Sequence, residues 1–146
     1  MNKTKLLSQE VAENIRDGYC CSEALVVSTT ELYAPEIPKQ LAHAASTGLC
    51  GGMGGKQATC GVFTGGAVAI GLVMGNGEKK DKRIKQLSAE YYQLLKQHAG
   101  GEDICHKLRA KMGDSNVDGS QCHRLSIDGG ELLQSVLNKA IDESSS

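Results

Sequence analysis

Apolar residues recur at intervals of three and four along most of this chain, the spacing that puts side chains on one face of an α-helix. Leu6, Leu7, Val11 and Ile15 form the first such stripe, with Glu10, Glu13, Asn14 and Arg16 between them. Asp17-Gly18 ends it, glycine supplying a left-handed cap. Ala24, Leu25 and Ser28 keep the same period and predict a second helix over about 21–32, although Val26 and Val27 weaken it through β-branching. Pro35 and Pro38 mark a loop, and Pro38 suits the first turn of a short, Ala-rich helix over about 39–47.

The pattern then changes. Gly48-Leu49-Cys50-Gly51-Gly52-Met53-Gly54-Gly55 holds five glycines in eight residues, too many to sustain helix or strand. Thr59 is placed to cap a helix over about 60–74. In it, Gly61 and Gly65 lie four apart, as do Ala67 and Gly71, so another backbone can approach closely. Val62, Phe63, Val68, Ile70 and Val73 would suit a strand as well; the length and the dense glycine favour helix. After the Asn76-Gly77 turn, Ile84, Leu87, Tyr91, Leu94 and Leu95 give the clearest amphipathic stripe, over about 81–98. Gly100-Gly101 breaks it, and a helix over about 102–111 carries Ile104, Cys105 and Leu108. Residues 113–121 read as a polar loop. Asp128 is placed to cap a last helix through Leu132, Leu133, Val136, Leu137 and Ile141, with 143–146 frayed. The expected fold is all-α: one compact domain (1–146, core about 6–141) of six to seven helices, with a Gly-rich loop before a buried central helix.

Composition sharpens this picture. There is no Trp, one Phe and four Tyr among 146 residues, but 18 Gly. Small and aliphatic side chains must therefore fill the core, with backbones close together. A net charge of −1 gives no support for nucleic-acid binding. The basic run Lys79-Lys80-Asp81-Lys82-Arg83-Ile84-Lys85 reads as a solvated helix start. The first ten residues show no secretory signal. The apolar run 60–75 has 16 residues, short of the roughly 20 that cross a bilayer. The expected setting is the cytoplasm, with no membrane partner. Disulfides are disfavoured there, so six cysteines point to metal binding or redox chemistry rather than stapling.

Four of those cysteines, Cys21, Cys60, Cys105 and Cys122, each sit where a glycine-rich or polar break opens a helical stretch. Free N–H groups and the positive end of the helix dipole favour thiolate there. Four thiolates brought together are the usual ligands of an iron–sulfur cluster or a structural zinc. The gaps between them are 39, 45 and 17 residues and no Cys-x-x-Cys occurs, so the fold itself must gather them. Gly52, Gly54 and Gly61 would let backbone amides approach the sulfurs of a negatively charged cluster. Cys20 and Cys50 read as buried small side chains, with Cys20 a spare ligand beside Cys21 and Cys50 a disulfide partner if it faces Cys60. His106 and His123 each follow a key cysteine but point about 100° away on a helix, which suits surface positions. His43 and His98 read as structural or exposed. No Walker A loop, dinucleotide fingerprint, serine-nucleophile motif or Cys-x-x-Cys-His haem motif is present.

Gly18-Tyr19-Cys20-Cys21-Ser22-Glu23-Ala24, the loop Gly51-Gly52-Met53-Gly54-Gly55, the motif Cys60-Gly61-Val62-Phe63-Thr64-Gly65, then Cys105 and Cys122, resemble in order the C_GCAxxG_C_C family of redox-active proteins. The resemblance covers about 11–140. It implies four recurring cysteines, which fall on Cys21, Cys60, Cys105 and Cys122. Val62 stands where the family usually has Ala, and Cys50 where it favours a bulky apolar residue. A related domain occurs in split-Soret cytochromes, where an iron–sulfur cluster accompanies haem. The expected function is electron transfer or redox sensing through an iron–sulfur cluster, [2Fe–2S] ahead of [4Fe–4S], as an oxidoreductase component with a redox partner protein. A metal-free thiol/disulfide oxidoreductase or sensor and a zinc-stabilised helical domain are the alternatives. Homodimerisation stays open.

Overall fold

In a computed structural model, which describes residues 5–145, the chain forms seven α-helices and two short 3-10 turns. The helices are α1 (Leu7–Arg16), α2 (Cys21–Tyr33), α3 (Lys39–Thr47), α4 (Gly61–Met74), α5 (Lys82–His98), α6 (Cys105–Met112) and α7 (Ser120–Ser145). The all-α expectation holds, and no described residue belongs to a β-strand. Among the described residues no helix is long and apolar enough to cross a membrane.

The core is organised around α2. Apart from Cys21 and Glu31 at its edges, every residue of this helix is buried, so it shows no polar face. Its buried hydroxyls are satisfied locally: Thr29 Oγ1 donates to Leu25 O at 2.6 Å and Thr30 Oγ1 to Val27 O at 3.0 Å. Ser28 Oγ accepts from Asn14 Nδ2 of α1 at 2.7 Å. α1, α3, α4 and α7 pack around it, and α5 closes over α4 and α7.

Glycine sets the depth of that packing. A Cβ on Gly61 would lie 2.8 Å from Leu49 O and 3.1 Å from Ser22 Cβ, and one on Gly65 would lie 3.4 Å from Ser22 Cα. The expected close-packed face is therefore real, and it brings the start of α4 against the start of α2. The second pair does not repeat it, because Gly71 faces open space. Gly66 instead makes room for the ring of Tyr91 from α5, whose hydroxyl donates to Val62 O at 2.7 Å.

Several boundaries differ from the sequence reading. Thr59 does not cap α4; it pairs with Ile104 in an isolated antiparallel bridge, and Cys60 holds the cap position. α6 begins at Cys105 because residues before it are extended in that bridge, with the Glu102 carboxylate accepting from the Asp103 and Ile104 amides at 3.1 Å each. The largest departure is α7, which starts at Ser120 and runs straight through the expected cap at Asp128. Asp128 is a mid-helix residue there, 3.0 Å from His98 Nε2 and 3.5 Å from Arg124 Nε. Gly129 and Gly130 remain helical because they allow close approach: a Cβ on the first would meet Val62 at 2.6 Å, and on the second Val11 at 3.2 Å. The end of α7 is also helical where fraying was expected, to Ser145, with Arg83 bonded to Ala140 O and to Ser144 Oγ; Ser146 lies outside the described residues.

Candidate metal centre

Four helix N-termini converge. Cys21 is the first residue of α2, Cys60 the cap residue of α4, Cys105 the first residue of α6, and Cys122 lies in the first turn of α7. All four line one cavity of about 50 Å³. That is room for about three to five waters. Gly51, Gly52 and Gly61 share the lining, with Val62, Leu108, Met112 and Leu125 as apolar wall and Arg109 as its charged residue. No histidine and no carboxylate lines it.

Local pairing explains how distant cysteines meet. Cys60 N donates to Asp103 O at 2.8 Å and Cys105 N to Ala58 O at 2.6 Å, on either side of the Thr59–Ile104 bridge. This clip between two segments of the chain sets Cys60 and Cys105 side by side. Asn116 places Cys122: its Oδ1 accepts from the Gln121 and Cys122 amides at 2.8 and 3.2 Å, and its Nδ2 donates to Cys122 Sγ at 3.4 Å. Cys21 Sγ then donates to Cys122 O at 3.4 Å, and Ser126 Oγ to Cys21 O at 2.9 Å, locking α2 to α7.

The glycine loop is a left-handed turn. Residues 51–55 all have positive φ, from 59° to 77°, and Met53 is the single non-glycine among them. An L-residue in this conformation costs roughly 1–2 kcal/mol, so four glycines make the turn affordable. Gly54 N donates to Gly48 O and Gly55 N to Cys50 O, each at 2.9 Å. The turn delivers Gly52 against Cys105, where a Cβ would lie 2.8 Å from Cys105 Cβ. Of the three glycines expected at a cofactor, Gly52 and Gly61 line the cavity, whereas Gly54 is exposed on the loop.

The electrostatics correct one expectation. Position at a helix start does not make the Cys21 and Cys60 thiols acidic. Burial pushes the Cys21 thiol up to about 12, the neighbouring Cys122 and Cys60 add to it, and Arg109 opposes. Burial likewise raises Cys60 to about 11, against hydrogen bonds to its sulfur from the Val62 and Phe63 amides. Desolvation of a charge in an apolar pocket outweighs the helix-end field. A bound cation reverses that balance, since it displaces the thiol protons and offsets the mutual repulsion.

Arg109, Met112 and Asn116 were not singled out from the sequence. Arg109 lies four residues after Cys105, on the same helix face, which is the one local signal for it. His106 is exposed, and neither it nor His123 lines the cavity.

The two remaining cysteines are neither spare ligands nor isolated buried side chains. Cys20 and Cys50 are joined in a disulfide, with their Cα atoms 6.1 Å apart, and Cys60 stays free. Cys20 ends the chain's approach to α2, and Cys50 opens the glycine loop. Glu23 sits beside the bridge, its ligand oxygen and both sulfurs all within 4.8 Å of one another. Its carboxylate accepts from Cys20 N at 3.0 Å and Thr47 Oγ1 at 2.8 Å, and lies 2.6 Å from His43 Nε2. Burial works to raise this carboxyl, but the Cys20 amide, the Thr47 hydroxyl and His43 together hold it below the usual value.

The ordered cysteines have a counterpart among known families. A family model described as "Putative redox-active protein (C_GCAxxG_C_C)" matches residues 19–136, a stretch that contains every helix from α2 to α6 and most of α7. No curated protein and no solved structure matches the chain. With most of its length matched and the four cavity cysteines inside the match, the chain belongs to the C_GCAxxG_C_C family of redox-active proteins.

Proposed function

We propose that this protein is an electron-transfer or redox-sensing component that holds an iron–sulfur cluster on Cys21, Cys60, Cys105 and Cys122. The observation that carries the reading is the convergence of four cysteine-bearing helix N-termini on one cavity. The donor set fits the group: four sulfurs, no competing imidazole or carboxylate, and a glycine at position 52 where any side chain would strike Cys105. A single zinc ion on the same four sulfurs is the competing reading, and it would leave the protein colourless.

A cluster held there would supply one-electron transfer. The chain's own groups have separable tasks. The Val62 and Phe63 amides and the Asn116 side chain donate to sulfur and stabilise negative charge. Arg109 adds a positive charge at the wall. Val62, Leu108, Met112 and Leu125 give the sulfurs an apolar wall. The natural counterpart is a protein that gives or takes one electron.

The test is anaerobic reconstitution with iron and sulfide, measured per chain together with the visible spectrum. Cys21→Ala, Cys60→Ala, Cys105→Ala and Cys122→Ala should each lose most of the bound iron. Cys20→Ala and Cys50→Ala should keep it. A colourless protein that binds one zinc and no iron, or equal iron loss in all six variants, would overturn the reading. The spectrum also separates [2Fe–2S] from [4Fe–4S].

A further inference from the structure

We propose that Cys20 and Cys50 form a reversible dithiol–disulfide couple, a second redox centre outside the four-cysteine cavity, whose substrate is an external dithiol. The inference does not depend on a cluster being present.

Three observations support it. First, the pair is reachable. Both cysteines are half-buried, and Thr47, Gly48 and residues 53–55 of the glycine loop are exposed on either side of Cys50. Second, the reduced pair would not be stranded in an apolar site. The Ser22 hydroxyl lies 3.3 Å from Cys20 Sγ and 3.6 Å from Cys50 Sγ, so each thiol keeps a polar neighbour when the bond opens. Third, neither cysteine lies inside a helix. Cys20 is the cap residue of α2, two residues after Gly18, and Cys50 lies between α3 and the glycine turn. Small shifts there let two thiols separate without disturbing a helix interior.

The exchange is balanced by the dithiol alone. A thiolate of the reductant attacks one sulfur of the bridge. The Cys20–Cys50 bond breaks and a mixed disulfide forms. The second thiol of the reductant then displaces it. Two electrons and two protons pass from the dithiol to the pair, leaving the reductant as its disulfide and Cys20 and Cys50 as thiols.

The couple is also built into the walls of the cavity. Cys20 precedes Cys21, and Cys50 precedes Gly51 and Gly52; these three neighbours all line the cavity. The disulfide is thus a covalent tie between two segments that line the cavity.

The experiment equilibrates the full chain anaerobically with graded ratios of reduced to oxidised dithiothreitol. After acid quench and alkylation, peptide mapping reads each cysteine, and circular dichroism reads the fold. The expected result is a single reversible step in which Cys20 and Cys50 gain label together while the helical signal persists. Cys20→Ser and Cys50→Ser should each abolish the step, leaving one thiol that labels at every ratio. Iron content of the two serine variants, measured in parallel, separates this couple from the cluster reading. Two results would refute it: a bridge that resists reduction until the fold unfolds, or a pair that stays as free thiols in oxidised dithiothreitol.

Discussion

Replacing Gly66 with Ala tests the packing that holds the site together. A Cβ at this position would lie 2.0 Å from Tyr91 Cε2 and 2.4 Å from Cζ. Carbon atoms rest about 3.5–4.0 Å apart, so the ring must retreat by about 1.5 Å. It has nowhere to go. Tyr91 is 1% exposed, its hydroxyl is bonded to Val62 O at 2.7 Å, and Gly129 of α7 closes the space behind that hydroxyl. Overpacking of this kind costs about 1–3 kcal/mol. If the ring yields, an unpaired buried hydroxyl and carbonyl cost about 1–3 kcal/mol more. The gain in helix propensity from Gly to Ala returns about 1 kcal/mol. With the ring displaced, the net expectation is a loss of about 1–5 kcal/mol, or a melting temperature lower by about 3–20 °C. Urea denaturation and thermal circular dichroism would measure it. Gly71→Ala is the internal control: it lies on the same helix with nothing within 4 Å of its Cβ. It should stabilise by about 0.5–1 kcal/mol. Equal stability changes in the two variants would refute the reasoning, because the clash would then play no part.

Further outcomes follow from the site. Gly52→Ala adds left-handed strain of about 1–2 kcal/mol and a collision with Cys105, so it should lower the melting temperature and loosen any bound iron, read by the rate of iron transfer to a chelator. Removing the Cys20–Cys50 bridge, whose residues are 30 apart in sequence, should lower the stability of the otherwise folded chain by about 3–4 kcal/mol on the loop-entropy estimate, measured by urea denaturation with and without reductant. In metal-free reduced protein, iodoacetamide labelling of Cys60 should keep rising with pH towards its thiol value of about 11; a rate that levels off below pH 9 would show that the helix end outweighs burial.

Local sequence decided much of the architecture. Period-3.6 stripes, Gly18, the two prolines and Asn76-Gly77 mark helices whose ends the structure moves by only a residue or two, because such signals act between near neighbours. The position of four cysteines at helix starts was legible for the same reason. Asp128-Gly129-Gly130 misled because a cap followed by glycines looks like a boundary, while these glycines answer to Val62 of α4 and Val11 of α1, dozens of residues away.

What the chemistry needs was decided by tertiary structure. The antiparallel clip that sets Cys60 beside Cys105 and the union of Cys20 with Cys50 both join segments that carry no local mark of one another. Thiol acidity is decided there too. A helix start lowers a thiol pKa within one turn of chain, but burial belongs to the assembled pocket, and at Cys21 and Cys60 burial is the larger effect.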